Sequence, residues 1–256
     1  MTDDRGVVDL SGVFYFTKEK KMKRLITRIS MTVVALLMVG LMVAPAQAEV
    51  LWYNGDFDGL NGLANEINSQ VSQANVYDDF VVSGGNWLVD AVWSNNIMSF
   101  TGVSQALWEI RSGVSSGNGG TLIASGTDTA TQTATGNSGF GYDEYMIKVS
   151  GLNVSLAPGT YWLTVAPIGA GSGRSFNTTT NGLFAVGEPS GDNDNSFFNS
   201  SYFGNNFTQN YLEQGKSNFS MGIEGSTENS PIPEPGSLML LGTGLLGLLG
   251  LRKKNR

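Results

Sequence analysis

Carboxylates are the strongest acid, base and cation-binding groups that this chain offers, because its 256 residues include no cysteine and no histidine. The absence of both residue types excludes disulfide bonds, thiol nucleophiles, zinc sites built from Cys and His, and Ser-His-Asp triads. Any acid–base or metal chemistry must therefore come from aspartate and glutamate.

Two short segments place aspartates at alternate positions, as calcium-binding loops often do. Asp56 and Asp58 form one pair, and Asp192 and Asp194 form the other. Neither pair continues into a full twelve-residue calcium loop. In a loop that starts with Asp56 as position one, position five is Leu60, which has no ligand oxygen in its side chain. We therefore expect solvated acidic turns and no bound cofactor. If calcium binds, Asp192 and Asp194 are the predicted ligands.

A pair of carboxylates is also what glycoside hydrolysis requires. Glu109, Asp143 and Glu144 are the available candidates in the strand-rich part of the chain. Nothing in their spacing brings them together, and a charged pair at the start of a strand is usually only solvated. The sequence therefore predicts a protein that is not an enzyme, with a secreted glycan hydrolase as a distant alternative.

The aromatic residues suggest a different chemistry, a platform on which sugar rings stack. The chain has five tryptophans, and two aromatic clusters, SFFNSSYF and NYLEQ, follow them. Aromatic residues usually fill the interior of a β-sandwich, so most of them are predicted to be core. Trp162 and Tyr202 are the two predicted to be exposed. Carbohydrate binding is therefore the main alternative function.

The elements that must position these residues are predicted to be strands. Bursts of aromatic and β-branched residues alternate with period two, and turns rich in glycine and asparagine separate them. The residues predicted to share one face within each strand are Trp87, Val89, Ala91 and Trp93; Ala106, Trp108 and Ile110; Tyr145, Ile147 and Val149; and Tyr161, Leu163 and Val165.

The predicted fold is all-β, a single antiparallel β-sandwich of jelly-roll type that covers residues 49–225. This length is sufficient for one sandwich with a substantial core. One segment differs, because apolar residues recur at helical spacing between Leu60 and Val71. A short helix near residues 60–72 is therefore also predicted.

The N-terminal region has the layout of a secretory signal peptide. A basic cluster at 18–28 is followed by twelve apolar residues at 33–44, and then by Ala46-Gln47-Ala48. The apolar run is too short for a comfortable membrane span and ends in small residues, which predicts cleavage after Ala48. The basic cluster of an export signal usually lies close to its start. We therefore expect Met22 to be the true first residue and residues 1–21 to be an extension of the gene model.

The C-terminal region combines a proline break, an apolar stretch and a basic end. Residues 226–236 form a polar linker, and the uncharged segment 237–251 would span about 22 Å as a helix, against a hydrocarbon core of about 30 Å. Such a helix is a weak transmembrane anchor. The basic tail 252–256 would remain cytoplasmic by the positive-inside rule, which places the body outside the cytoplasm. The proline break contains Pro233, Glu234 and Pro235, and the basic end contains Arg252, Lys253 and Lys254.

This tripartite tail resembles the PEP-CTERM sorting signal of exported proteins. The resemblance implies processing by exosortase, a membrane protease that cuts near the Pro-Glu-Pro motif. A plain single-pass tail anchor is the alternative. The segments VYDDFVVSGGNW and LAPGTYWLTV resemble β-sandwich modules of uncharacterised surface proteins that carry interchangeable anchors, and this second resemblance implies no enzymatic activity.

Charge limits the possible partners of the body. Residues 49–230 carry 4 basic and 17 acidic side chains, a net charge of −13. Such a body repels nucleic acid and anionic lipid. The predicted partners are signal peptidase, exosortase, the membrane through the C-terminal helix, and extracellular polysaccharide. The predicted role is that of a structural or adhesive protein, anchored briefly in the inner membrane and then placed at the cell surface or in the extracellular matrix.

Overall fold

Short, alternating apolar bursts build twelve β-strands in this protein. The computed structural model describes residues 48–189, 193–212 and 218–228, which belong to one compact unit, Ala48–Ser230. The strands are β1 (Glu49–Tyr53), β2 (Phe57–Ala64), β3 (Asn75–Val82), β4 (Trp87–Met98), β5 (Gln105–Ser112), β6 (Thr121–Gly139), β7 (Tyr142–Leu156), β8 (Gly159–Ile168), β9 (Ser175–Thr180), β10 (Phe197–Ser200), β11 (Asn205–Gln209) and β12 (Met221–Thr227).

The strands pair into one continuous antiparallel sheet. Their order is β1-β12-β4-β7-β6-β5-β8-β3-β10-β11, and β9 pairs with both β4 and β2. The described residues contain no α-helix. The prediction of an all-β, antiparallel protein is therefore confirmed. The predicted signal and tail helices lie outside the described residues, within which no helix is long and apolar enough to cross a membrane.

The long strand β6 connects two groups of strands. Residues 121–129 of β6 pair with β5, whereas residues 130–139 pair with β7. The first group is β1, β12, β4 and β7, and the second is β5, β8, β3, β10 and β11. A nineteen-residue strand can serve both groups because it is long enough to pair with a different neighbour along each half of its length.

Both groups contribute to one hydrophobic core. Val92 and Val149 of the first group and Ile110 and Leu163 of the second are fully buried members of the same cluster. The predicted inward faces of β5, β7 and β8 are confirmed, since Ala106, Trp108, Ile147 and Val165 are also buried in this cluster. Burying one such aliphatic side chain stabilises the fold by about 1.5–3 kcal/mol.

The prediction that alternate residues from Trp87 to Trp93 share one face of β4 is wrong beyond Val89. The pairing registers of β4 with β7 and with β12 both shift between Val89 and Ala91, and Asp90 is the extra residue opposite β12. A bulge inserts one residue and reverses the alternation of side chains that follow. Val92 therefore enters the core, while Trp93 lies on the other face, where Lys148 sits over its ring.

The predicted helix near residues 60–72 is also wrong. Residues 57–64 form β2, which pairs with β9, and Leu60 is exposed. Leu63 is paired with Asn177 of β9, so the backbone is extended where the helix was predicted. The apolar residues at helical spacing are therefore divided between a strand and the loop that follows it.

A buried carboxylate joins β3 to both ends of the folded chain. Asp78 Oδ2 accepts hydrogen bonds from the backbone N–H of Phe219 at 2.5 Å and from Asn54 Nδ2 at 2.9 Å. Asn54 follows β1, and Phe219 precedes β12. Asp78 is completely buried, so these two donors have no access to competing water.

We expect Asp78→Ala to lower the free energy of unfolding of the exported protein by about 3 kcal/mol, because it leaves two buried donors unpaired. Urea denaturation measures the change. Asp143→Ala removes an exposed carboxylate of β7 and should change stability by less than about 0.5 kcal/mol. Equal effects of the two substitutions would contradict the proposed role of Asp78.

The same buried carboxylates predict how stability depends on pH. Burial raises the pKa of Asp78 well above its usual value, with repulsion from Asp79 as the next cause, and burial also raises the pKa of Asp79 and of Glu66. A carboxyl group whose pKa is higher in the folded state binds more protons when folded. Its stabilising contribution to the free energy of unfolding is complete below the pKa of the unfolded state, about 4. This contribution is lost as the pH rises through the pKa of the folded state.

We therefore predict that the free energy of unfolding falls as the pH rises from about 4 towards neutrality, because the folded state must then give up protons that it binds more tightly than the unfolded state. Urea titrations at a series of pH values measure this slope. Asp78→Asn should flatten it. Stability that increases with pH over this range would contradict the prediction.

Candidate functional site

Two adjoining depressions form a surface that we call the aromatic groove. The larger has a volume of about 560 Å³ and the smaller about 160 Å³, and both are lined by Gly62 and Phe176. The aromatic residues along the two depressions are Phe140, Tyr142, Phe176, Phe198, Phe203 and Tyr211. Asn61 and Gln209 add amide side chains to the lining. The aromatic groove therefore offers ring faces beside hydrogen-bonding groups.

Several of these rings are exposed although they are large and apolar. Tyr211 is 76% exposed, Phe140 65% and Phe203 42%. Tyr202, itself 49% exposed, packs edge-on against Phe203 with ring centroids 4.8 Å apart. Single exposed apolar residues are common, but exposed rings that gather along one depression are typical of a binding surface.

The hairpin between β6 and β7 holds Phe140 in an unusual conformation. Its two loop residues, Phe140 and Gly141, have φ values of +55° and +82°. A two-residue hairpin loop of this type needs positive φ at both positions, and asparagine or glycine is usual at the first. A phenylalanine there costs on the order of 1 kcal/mol of backbone strain. The strained residue presents its ring to solvent at the smaller depression.

Arg174 is the positively charged residue of the aromatic groove lining. Its guanidinium carbon lies 4.9 Å from the ring centroid of Phe176 and 6.0 Å from that of Phe203. Its Nε donates to Oε1 of the fully buried Glu66 at 2.7 Å. Glu66 also accepts hydrogen bonds from the backbone N–H of Ser175 and from Asn68 Nδ2. This buried anchor fixes the guanidinium between the two rings.

A second depression, the acidic cleft, lies on the side of β4 that carries Trp93. Its volume is about 420 Å³. Two carboxylates line it: Asp56 accepts a hydrogen bond from the Tyr53 hydroxyl at 2.6 Å, and Glu144 is buried. Asn95, also in the lining, donates from Nδ2 to the Tyr53 hydroxyl at 3.2 Å. A hydrogen-bonded chain thus runs from Asn95 through Tyr53 to Asp56.

The three carboxylates considered for glycoside hydrolysis have different surroundings. Glu109 accepts hydrogen bonds from Tyr77 and Arg111, and Asp143 is exposed. Glu144 receives hydrogen bonds from Thr135, Asn137 and Thr178. Sequence reasoning missed that Asp56 and Glu144 line the same depression. Asp56 follows β1 and Glu144 lies near the start of β7, so only the fold brings the two residues to one surface.

The predicted calcium ligands are only partly described. Asp194 is exposed, with a φ of +55°, and Asp192 lies outside the described residues. Asp58 does not face a shared site with Asp56, because its Oδ1 accepts hydrogen bonds from the Thr179 hydroxyl and the Leu60 N–H. Within the described part of the chain, no three acidic residues gather as a metal site would require. Calcium binding at Asp192 and Asp194 stays a prediction.

The predicted exposure of Trp162 is wrong, whereas that of Tyr202 is confirmed. Trp162 is 7% exposed and packs in a second cluster with Tyr77 and Phe197, and its Nε1 donates to the Asn195 carbonyl at 2.9 Å. The other four tryptophans are buried as well. The exposed rings of the aromatic groove instead include Phe203 and Tyr211, which lie in the two clusters singled out from the sequence.

The sorting residues lie beyond the described body. Pro233, Glu234, Pro235, Arg252, Lys253, Lys254 and Ala46 are outside the described residues, and Ala48 is the first residue within them. The predicted sorting signal in the tail can be tested by comparing its sequence with known sorting motifs. Residues 231–254 match the family model of the PEP-CTERM protein-sorting motif, which confirms the resemblance seen in the tail. No curated protein and no solved structure matches the chain.

The tail motif gives the class of protein: an exported protein whose sorting takes place at the membrane. More specifically, the chain carries the PEP-CTERM signal and is a substrate of exosortase, the membrane protease that processes such signals. The match covers the tail alone, so the role of the body must be argued from its surface.

The ion pair beneath the aromatic groove gives a test of the site's construction. We expect Arg174→Gln to lower the free energy of unfolding by about 3 kcal/mol, because buried Glu66 loses its cation. The double variant Glu66→Gln/Arg174→Gln should recover most of this loss, since the glutamine amide that replaces the carboxylate still offers an acceptor to Ser175 and Asn68. Urea denaturation measures both changes.

The matched control is Lys148→Gln, which breaks the partly exposed ion pair with Glu224. Exposed pairs contribute less than about 1 kcal/mol. If Arg174→Gln costs no more than Lys148→Gln, the buried pair does not anchor the aromatic groove.

Proposed function

We propose that this exported protein is a structural and adhesive component of the cell surface or extracellular matrix, and that it attaches to polysaccharide through the aromatic groove. The observation that supports this proposal is the row of exposed rings along the groove, with Phe140, Phe203 and Tyr211 beside amide side chains. Sugars present apolar C–H faces to aromatic rings and hydroxyl groups to amides, so this combination suits a glycan chain.

The extended shape of the aromatic groove favours a polymer over a small molecule. The two depressions meet at Gly62 and Phe176, and ring contacts continue from Tyr142 to Phe176, with centroids 6.1 Å apart. Successive sugar units of one chain can then contact successive rings. Each contact is weak, and several in a row give retention without a deep pocket.

We also infer that the folded sheet is a β-sandwich of jelly-roll type. The support is the single core shared by the group around β4 and β7 and the group around β5 and β8, with β6 crossing between them. A sandwich is a rigid scaffold and suits a matrix component, because its loops can carry binding residues without disturbing the core.

We propose a binding role without catalysis for the body. Glu144, which has the most protected position among the candidate acids, receives three hydrogen bonds and is 1% exposed. A general acid must instead reach the bond that it cleaves. The hydrolase alternative would need a second exposed carboxylate at a distance suited to a glycosidic bond.

The route to the surface completes the proposal. Signal peptidase cleaves after Ala48, the segment 237–251 holds the body at the inner membrane, and exosortase releases it near Pro233-Glu234-Pro235. Export and exosortase sorting rest on the tail motif. The final position at the surface or in the matrix rests on the binding proposed for the body.

Affinity electrophoresis in gels that contain the host's extracellular polysaccharide tests this function. We expect the polysaccharide to retard the exported protein, and the double variant Phe203→Ala/Tyr211→Ala to lower the affinity at least about tenfold, because two stacking rings are lost. Phe184→Ala is the matched control, since Phe184 is 71% exposed but does not line the aromatic groove.

Two results would contradict the proposal. One is an unchanged mobility of the original protein in every polysaccharide gel. The other is an equal loss of affinity in the Phe184→Ala variant, which would show that general surface hydrophobicity and not the aromatic groove causes retention. Circular dichroism of each variant checks that the fold is retained.

A further inference from the structure

We propose that the acidic cleft is a second ligand site, which binds an amino sugar through its charged ammonium group. This site is distinct from the aromatic groove and takes a ligand of different charge. It does not depend on the polysaccharide binding proposed above.

The charge of the acidic cleft points to a cationic ligand. Asp56 and Glu144 both line it, and no lysine or arginine among the described residues does. The nearest basic residue along β7, Lys148, is paired with Glu224. Burial raises the pKa of Tyr53, and the hydrogen bond to Asp56 and the negative charges of Asp56 and Glu144 raise it further. A concave surface with two unneutralised carboxylates concentrates a negative potential and attracts cations.

The two carboxylates have different tasks in this proposal. Glu144 is buried and hydrogen-bonded by Thr135, Asn137 and Thr178, so it is a fixed source of negative charge. Asp56 is only partly buried and lines the acidic cleft, where its side chain accepts from the Tyr53 hydroxyl. Asp56 is therefore the group that contacts the ammonium directly.

Two further groups suit an ammonium. The ring of Tyr53 lines the acidic cleft and lies against that of Trp93, with centroids 5.8 Å apart. Lys148 already sits over the Trp93 ring, so Tyr53 is the ring that an ammonium would contact. Aromatic rings attract cations through their negatively charged faces. Asn95, which is 5% exposed, has an Oδ1 with no hydrogen-bond partner among the described residues. A buried acceptor without a partner is costly, and a donor brought by a ligand would satisfy it.

The shape and the rim of the acidic cleft favour a sugar over a free amine or a lysine side chain. A volume of about 420 Å³ is within the usual range of small-ligand sites. Thr133 and Thr135 are exposed at its edge with Asn137. Thr135 and Asn137 donate to Glu144, but the oxygen atoms of these hydroxyl and amide groups can still accept hydrogen bonds from the hydroxyl groups of a sugar ring. An alkyl amine has no hydroxyl groups to make such contacts.

Isothermal titration calorimetry with two oligosaccharides tests the proposal. The probes are the β-1,4-linked tetramers of glucosamine and of N-acetylglucosamine, which share a backbone and differ in the charged amine. At a mildly acidic pH we expect the exported protein to bind the glucosamine tetramer at least about tenfold more tightly than the acetylated one. The affinity should fall as the salt concentration rises, because the contact is electrostatic.

Variants then locate the contact. Asp56→Asn should lower the affinity for the glucosamine tetramer at least about tenfold, while retaining an oxygen that can accept from Tyr53. Asp143→Asn is the matched control, because it removes the same charge from an exposed position next to Glu144, and it should change the affinity less than about twofold. If Asp56→Asn fails to fold, Tyr53→Phe tests the same site.

Three results would overturn the proposal: equal binding of both tetramers, equal losses in Asp56→Asn and Asp143→Asn, or binding of free lysine as tight as that of the glucosamine tetramer. The Phe203→Ala/Tyr211→Ala variant should bind glucosamine normally. A failure of the aromatic groove and a failure of the acidic cleft are therefore distinguishable.

Discussion

The burial of Asp78 among backbone and amide donors is the contact on which the body most depends. Through it, β3 in one group of strands is joined to Asn54, which follows β1, and to Phe219, which lies two residues before β12. β12 is the last strand in sequence, yet it pairs with both β1 and β4 inside the sheet. A protein without disulfide bonds must fix its chain ends by such contacts, and here both ends of the body are fixed at one buried carboxylate.

The bulge at Asp90 has the next largest consequence, because it creates the acidic cleft. Without the inserted residue, Trp93 would face the core together with Val89. The bulge instead directs Trp93 to the outer face of β4, beside Tyr53 and Lys148. The same strand thus contributes Val92 to the core and Trp93 to the cleft. A local irregularity therefore separates the residues that stabilise the fold from those available to a ligand.

The sequence was sufficient to predict β5, β7 and β8, because the alternating apolar residues of each strand face the core. This alternation can be recognised without knowing which strands are paired. It was insufficient at β2, where the apolar residues at helical spacing are divided between the strand and the loop that follows it. It was also insufficient for the candidate sites. Asp56 and Glu144 are far apart in sequence, and Arg174 gains its position only from the buried Glu66. Whether a single aromatic ring is exposed depends on the conformation of the turn that carries it, as at Phe140. The alternation of apolar residues along a strand does not predict that conformation.

The charge distribution connects the body with the ligands proposed for it. A net charge of −13 over residues 49–230 disfavours anionic polymers at long range, but this repulsion is screened beyond about 8–10 Å at physiological salt. A neutral glycan avoids that repulsion altogether and can approach the aromatic groove, where Arg174 is already neutralised by Glu66. A cationic sugar is attracted by the whole body and retained where carboxylates lack a basic partner. The two proposed sites would therefore divide ligands by charge, and a matrix that contains both kinds of sugar would be linked through one folded body.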